Sequence, residues 1–331
     1  MDLRHILEDL ARGRDLEGDA ARSGFEALFS GELSPAQSGA MLLGLRAKGA
    51  TATELAAAVQ AALRHAHLVR AGDGPCIDTC GTGGDGRHSF NCSTAVAVFL
   101  ADMGYSVVKH GNRAVSSSCG SADVVESLGL PFTMDEEEVV ASLVRHNFAF
   151  LYAPSYHPAF AEVAPIRKEL GIPTLFNLMG PLLNPARPTH QLLGVGSPEA
   201  LQLMAQTLAL NGVRRAAVVH GAGGFDELTP CGQNDVVLVR DGDCESVRLD
   251  PAKLDIRPCR PEDLACRDKE QALELMSHVL RGRAPEAVRD MLALNLGMAL
   301  SLLDGAELSE SVRRAGHKVE AGLTKGAIHA A

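Results

Sequence analysis

Asp226 and Glu227 stand side by side in the stretch Gly221-Ala222-Gly223-Gly224-Phe225-Asp226-Glu227-Leu228. Two adjacent carboxylates repel unless a cation compensates, and magnesium takes one or two carboxylates together with waters and substrate phosphates. A metal site and a loop carrying two solvated acids are both open at this point. A second stretch points to a ligand that would share the cation. In Asp78-Thr79-Cys80-Gly81-Thr82-Gly83-Gly84-Asp85-Gly86, the glycines at 81, 83, 84 and 86 let backbone amides turn toward an anion. Asn91, Ser93 and Thr94 follow where a helix with the apolar face Val96, Phe99, Leu100 and Met103 begins. Free amides and the helix dipole favour a phosphate there, whereas simple N-capping accounts for only one of the three residues. Lys109-His110-Gly111-Asn112-Arg113 completes a strand-helix-strand unit, which sets two anion-binding loops at adjacent strand ends.

Gly81, Gly83 and Gly86 also match the spacing of a dinucleotide loop, but that reading needs an acid about 20 residues further on to hold a ribose hydroxyl. Lys109 and His110 occupy that region instead, and the inserted Arg87-to-Ser93 segment delays the helix that the dinucleotide motif would open directly. A Walker loop is excluded because no Gly-Lys-Ser/Thr follows.

These loops need a scaffold, and the apolar periodicity supplies one. The first 68 or so residues read as helices only: Leu3, Ile6, Leu7 and Leu10 share a face, and Ser34-Pro35 with Gln37 and Thr51 with Glu54 are capping boxes. Leu55, Val59 and Leu63 continue the stripe. A turn-rich break at residues 71–75 marks a domain boundary. Beyond it, strands are expected at Cys76–Cys80, Ser106–Val108, Phe148–Tyr152, Leu192–Val195 and Arg215–Val219, mostly separated by helix-length segments. Asp235–Val239 and Ser246–Leu249 flank an Asp-Gly turn and read as a hairpin, and helices begin near Asp268, Pro285 and Ser309. The expected fold class is α/β, a small N-terminal helical domain followed by a larger domain with a mostly parallel central sheet.

Bulk properties narrow the function. A chain of 331 residues with 46% apolar and 22% charged residues is a folded protein of roughly two domains. Its net charge of -10 argues against a surface devoted to nucleic acid, so any anion site is local. The acidic, amphipathic start is unlike a secretory signal, and uncharged stretches such as 88–101 and 170–186 are too short to span a bilayer. Eight scattered cysteines without a CxxC pair fit reduced thiols in the cytoplasm. Cys92, at a helix start, is either a thiol of lowered pKa or a small buried hydrophobe.

Together these residues resemble the anthranilate phosphoribosyltransferases, a family related to the pyrimidine nucleoside phosphorylases. The resemblance runs over nearly the whole chain: residues 30–37 (SGELSPAQ), the Gly81 loop, Asn91-x-Ser93-Thr94, Lys109 to Arg113, Gly120-Ser121-Ala122-Asp123, Phe176-Asn177 with Gly180-Pro181, and Asp226-Glu227. The phosphorylases carry a different sequence where this chain has Lys109 to Arg113. The resemblance implies transfer of phosphoribosyl from phosphoribosyl pyrophosphate to the amine of anthranilate, in tryptophan biosynthesis. It implies phosphoribosyl pyrophosphate contacts from Gly81, Gly83, Gly84, Asp85, Ser89, Asn91, Ser93, Thr94, Lys109, Arg113, Ser117 and Ser121. Gly81, His110, Asn112 and Arg167 would meet anthranilate, and no covalent nucleophile is required. Two magnesium ions are implied, one shared by Ser93 and Glu227 and one held by Asp226 and Glu227.

The same resemblance implies a homodimer through the helical domain. It divides the chain into residues 1–70 with a returning helical segment near 165–186, and an α/β part of 71–164 and 187–331. His157 matches a family position without a definite task. The departures are Cys92, Cys119, Phe225, Cys231 to Asp235, and Glu262 to Asp268. A phosphorylase or another transferase of the same fold is the enzyme alternative. A nucleic-acid-binding paralogue is the other, and it would show a basic surface and no acidic pair.

Overall fold

The structure, a computed structural model, describes residues 3–87, 89–113, 120–130, 132–133 and 135–324. Four helices open the chain: α1 (Leu3–Ala11), α2 (Gly18–Phe29), α3 (Pro35–Lys48) and α4 (Ala52–Arg64). Both capping boxes form. Ser34 Oγ accepts from the Gln37 amide at 3.3 Å while Gln37 Oε1 accepts from the Ser34 amide at 2.9 Å, and Thr51 and Glu54 repeat the exchange. Such a cap contributes about 1 kcal/mol. The buried Glu54 carboxylate also accepts from the Leu16 amide at 2.8 Å and from Lys48 Nζ at 2.7 Å, which ties α4 to its neighbours.

The described residues beyond the break build one sheet from β1 (Cys76–Gly81), β2 (Ser106–Gly111), β3 (Phe132–Thr133), β4 (Phe148–Tyr152), β5 (His190–Gly194), β6 (Arg215–His220), β7 (Asn234–Arg240) and β8 (Asp243–Leu249). Their order is β3-β4-β2-β1-β5-β6-β7-β8, parallel as far as β6 and antiparallel thereafter. The expected hairpin is β7–β8. Its turn residues Asp241 and Gly242 have φ of +47° and +101°, the left-handed geometry that suits a two-residue connection.

The remaining helices are α5 (Cys92–Asp102), α6 (Ser121–Ser127), α7 (Glu136–His146), α8 (Ala153–Tyr156), α9 (Phe160–Leu170), α10 (Phe176–Met179), α11 (Ala200–Leu210), α12 (Lys269–Leu280), α13 (Glu286–Asp304) and α14 (Leu308–Ala321). On one side of the sheet α5 and α13 lie against the central strands, with α12 on α5 and α14 on α13. On the other side α11 packs on β6 and β7, and α4 packs on α11. The apolar core of the N-terminal helices, with Phe25, Leu45 and Leu55, therefore runs on through Met204 to Leu193 and Val218 of the sheet. No helix of the described residues is long and apolar enough to cross a membrane.

Three elements depart from the sequence reading. The two-residue β3 is too short to leave a periodic signal. β2 runs on to Gly111 because its pairing with β4 continues from Val107 opposite Phe148 to Gly111 opposite Tyr152, so Lys109 and His110 are buried strand residues rather than loop residues. The helical return begins at Phe160, ahead of residue 165, with Pro165 inside α9. That helix packs on α2 and α3.

Candidate active site

The chain reverses direction across the sheet at β1: β2 and β4 lie on one side, β5 and β6 on the other. Open α/β sheets bind ligands outside the carboxyl ends of the strands at such a point. A cleft of about 390 Å³ opens there.

Gly81 ends β1, and its register partner Gly194 ends β5. A Cβ on Gly194 would lie 1.4 Å from the Asp226 carbonyl oxygen, and one on Gly81 would lie 2.3 Å from Asp226 Oδ2. Bare backbone at both positions lets the turn carrying the two carboxylates lie across the strand ends. Asp226 Oδ2 accepts from the Gly83 amide at 2.9 Å. Glu227 Oε1 accepts from the Ser93 amide at 3.3 Å at the start of α5, and Oε2 accepts from the Ser89 hydroxyl at 3.2 Å. The acidic turn and the glycine loop, far apart in sequence, are thus one constellation.

Two buried asparagines hold this turn. Asn295 on α13 accepts from the Leu228 amide at 3.0 Å and donates to the Leu228 carbonyl at 2.8 Å. Asn234 accepts from the amides of Ala222 and Thr229 and donates to the carbonyls of Thr229 and Gly232. Neither was among the residues expected to matter. The signal was present as a lone amide inside the apolar run of α13.

Burial, and then the neighbouring Asp85, pushes Asp226 up to about 6, and burial with Asp226 beside it pushes Glu227 well above the usual carboxylate range. These are acids short of positive charge. The donors around them are hard oxygens, and among the described residues no three His, Cys, Asp or Glu side chains converge to complete a shell. That set fits magnesium, which keeps waters and takes phosphate oxygens for its remaining positions. Lys109, fully buried beneath the loop, donates to the Thr79 carbonyl and, at 3.3 Å, to Ser93 Oγ. Burial lowers its pKa, and the charge of the buried Asp78 opposes that shift.

Of the residues expected to contact phosphoribosyl pyrophosphate, Gly81, Gly83, Gly84, Asp85, Ser89, Asn91, Ser93, Lys109, Arg113 and Ser121 line the cleft. Ser117 lies outside the described residues. Thr94 does not line it: its side chain is fully buried in the first turn of α5, with the hydroxyl unpaired. Arg113 sits at the rim and pairs with Glu126 at 2.9 Å. Cys92 is fully buried, and burial, with Glu227 nearby, drives its thiol far up, so the lowered pKa allowed by the helix start is overturned.

His110 and Asn112 line the same cleft. His110 stacks edge-on to His157 at 5.2 Å, and burial lowers the two to about 3 and about 4, so both are neutral at pH 7. Arg167 is not a lining residue. Its half-buried guanidinium lies 5.2 Å from the ring centre of Phe176, which does line the cleft. Ala153, Asn177, Gly180 and Pro181 complete that wall. Phe176, Asn177, Gly180 and Pro181 belong to the uncharged stretch that resembled the family without being assigned a contact.

Residues 73–328 match the α/β domain of the glycosyl transferase family, and residues 4–66 match its helical bundle domain. The anthranilate phosphoribosyltransferase of Nitratidesulfovibrio vulgaris is 55% identical over 98% of each chain. The chain belongs to the anthranilate phosphoribosyltransferase family. Among solved structures, the anthranilate phosphoribosyltransferase of Thermus thermophilus is similar with a TM-score of 0.88 and 37% identity, covering 96% of this chain and 95% of that one. The Saccharomyces cerevisiae enzyme in complex with PRPP and Mg has a TM-score of 0.85 and 27% identity, covering 97% of this chain and 94% of that one. For a member of this family, the glycine loop and the acidic turn meet where the strand order reverses.

Proposed function

We propose that this chain transfers phosphoribosyl from phosphoribosyl pyrophosphate to the amine of anthranilate, releasing pyrophosphate, as a step of tryptophan biosynthesis. The observation that carries the reading is the convergence of the Gly83 and Ser93 amides on Asp226 and Glu227 in one cleft. Ser93, Asp226 and Glu227 are the residues that would hold magnesium, as two ions. Bound there, magnesium supplies positive charge for the pyrophosphate.

The bond from ribose C1 to the pyrophosphate oxygen breaks while the anthranilate nitrogen forms the new bond to C1 and sheds one proton to water. Positive charge develops on the sugar and negative charge on the leaving group. Amides of Gly83, Gly84 and Ser93 and the charge of Lys109 beneath the loop oppose that negative charge in a partly dry site. Asp85, Ser89, Asn91 and Ser121 orient the phosphoribosyl group, with Arg113 at the rim of the same cleft. Arg167 takes the anthranilate carboxylate. Support for this is a half-buried guanidinium that pairs with no acid among the described residues, beside the aromatic wall of Phe176. His110, Asn112 and Gly81 face the acceptor. The aromatic amine is neutral near pH 7, so positioning outweighs general-base strength.

The helices of residues 1–70 and 165–186 form the acceptor side, and residues 71–164 and 187–331 the phosphoribosyl side. We further place the enzyme in the cytoplasm as a homodimer through its helical part, with small-molecule substrates and neither nucleic acid nor membrane as partner. Among the described residues seven cysteines stand outside any disulfide, which supports a reducing compartment. Incubating the protein with phosphoribosyl pyrophosphate, magnesium and anthranilate tests the reading through the decay of anthranilate fluorescence. Unchanged fluorescence with all three present would refute it.

A further inference from the structure

Cys231 and Cys259 are half-buried, and their sulfurs lie 3.5 Å apart. Each sits on a segment that braces the acidic turn. Cys231 follows that turn, and its amide donates to Thr229 Oγ1 at 3.4 Å, which in turn donates to the Ala222 carbonyl at 2.8 Å. Cys259 precedes the short 3-10 turn Pro261–Leu264, whose Pro261 lies against Gly223. The next residue, Ala265, bridges to Ser89, whose hydroxyl reaches Glu227. Two thiols held on facing segments make the second step of disulfide formation intramolecular. A bond of about 2.05 Å needs the sulfurs to close by roughly 1.5 Å.

We infer that Cys231 and Cys259 form a dithiol site that a low-molecular-weight disulfide oxidises reversibly, and that the resulting cross-link weakens magnesium-dependent substrate binding. The Cys231 thiolate attacks one sulfur of the small disulfide, forming a mixed disulfide and releasing the first small thiol. The Cys259 thiolate then attacks Cys231 Sγ, breaks the mixed disulfide and expels the second. Two protein thiols lose two electrons, the small disulfide gains them, and the two protons end on the released thiols. Burial and the adjacent Cys231 push the Cys259 thiol up to about 12, so its ionisation limits the closing step. The contraction pulls on Thr229 and the Ala222–Gly223 strap, so it shifts the carboxylates rather than unfolding the sheet.

The coupling arm rests on the proposed function, and the dithiol site does not. The full chain is incubated with glutathione disulfide or with reduced glutathione, then analysed by intact mass, peptide mapping and magnesium titration of phosphoribosyl pyrophosphate binding. The expected result is a loss of about 2 Da, a Cys231–Cys259 peptide, and a half-saturating magnesium concentration raised at least roughly fivefold, all reversed by dithiothreitol. Cys259→Ser should bind and turn over normally, stop at a glutathione adduct on Cys231 and show none of these changes. In the parent chain a stable glutathione adduct, a disulfide between other cysteines, or unchanged thiols would overturn the site. A Cys231–Cys259 disulfide with unaltered magnesium dependence would overturn the coupling. Failure of reduced protein to bind phosphoribosyl pyrophosphate would instead count against the proposed function, and the peptide map would still judge the thiols.

Discussion

The Gly83 amide donates to Asp226 Oδ2 at 2.9 Å, so a donor of the glycine loop is held by one of the paired carboxylates. The Ser93 amide donates to Glu227 in the same way, and we expect a cation and a phosphate in the cleft to replace both contacts.

Replacing both acids, Asp226→Asn with Glu227→Gln, preserves volume and removes the charge that would hold magnesium. Turnover should fall below detection while circular dichroism stays that of the parent. Ordinary turnover at ordinary magnesium would remove these residues from the mechanism.

Acidity supplies a second test. Asp226 and Asp78 sit at about 6 when folded, each raised chiefly by burial from 3.8. A folded state that binds more protons than the unfolded one loses stability as pH rises, so both acids cost the free protein stability above pH 6. That stability returns as the pH falls below 6 toward 3.8. Magnesium relieves the Asp226 part only. Scanning calorimetry should show magnesium raising Tm clearly at a pH about 1.5 units above the folded pKa, and much less at a pH below it. Equal rises at both pH values would contradict the assignment.

Gly194→Ala tests the strand-end packing. Its Cβ would lie 1.4 Å from the Asp226 carbonyl oxygen, so the acidic turn must move. Thermal denaturation should show a loss of about 1–3 kcal/mol, typical of overpacking, and magnesium-dependent turnover should drop further than stability alone explains. A variant with parental stability and turnover would mean that the turn has room to spare.

Much of this arrangement could be read before any coordinates, and the exceptions have physical causes. Ser34 with Gln37 and Thr51 with Glu54 announced their helices because a capping box is local chemistry. The glycine loop and Asp226-Glu227 were equally visible, since close approach and paired charge restrict residue type. The sequence sets Lys109 in a loop beyond the strand Ser106–Val108, and only the pairing of β2 with β4 reveals it as a buried strand residue. Thr94 shares a motif with Ser93, but successive residues of a helix point about 100° apart, and the Thr94 side chain is the buried one of the two. Asn234 and Asn295 act through contacts distant in sequence, which no local pattern encodes.

Acceptor recognition is separable from phosphoribosyl recognition. Arg167→Ala should weaken anthranilate by roughly 10-fold to 150-fold, the equivalent of one charged hydrogen bond at ~1.5–3 kcal/mol, and leave phosphoribosyl pyrophosphate nearly unaffected. Lysine should rescue only in part, because it keeps the charge without the planar fork. Isothermal titration with each substrate decides the matter, and loss of phosphoribosyl pyrophosphate binding alone would reverse the assignment.

Group transfer from a pyrophosphate donor to anthranilate in this cleft fixes the stoichiometry of the products. Pyrophosphate released per anthranilate consumed, measured with and without magnesium, tests it most directly. We expect one pyrophosphate for each anthranilate, dependent on magnesium and absent from the Asp226→Asn, Glu227→Gln double variant. Phosphate-dependent cleavage of a pyrimidine nucleoside, with no pyrophosphate released from the anthranilate mixture, would contradict it.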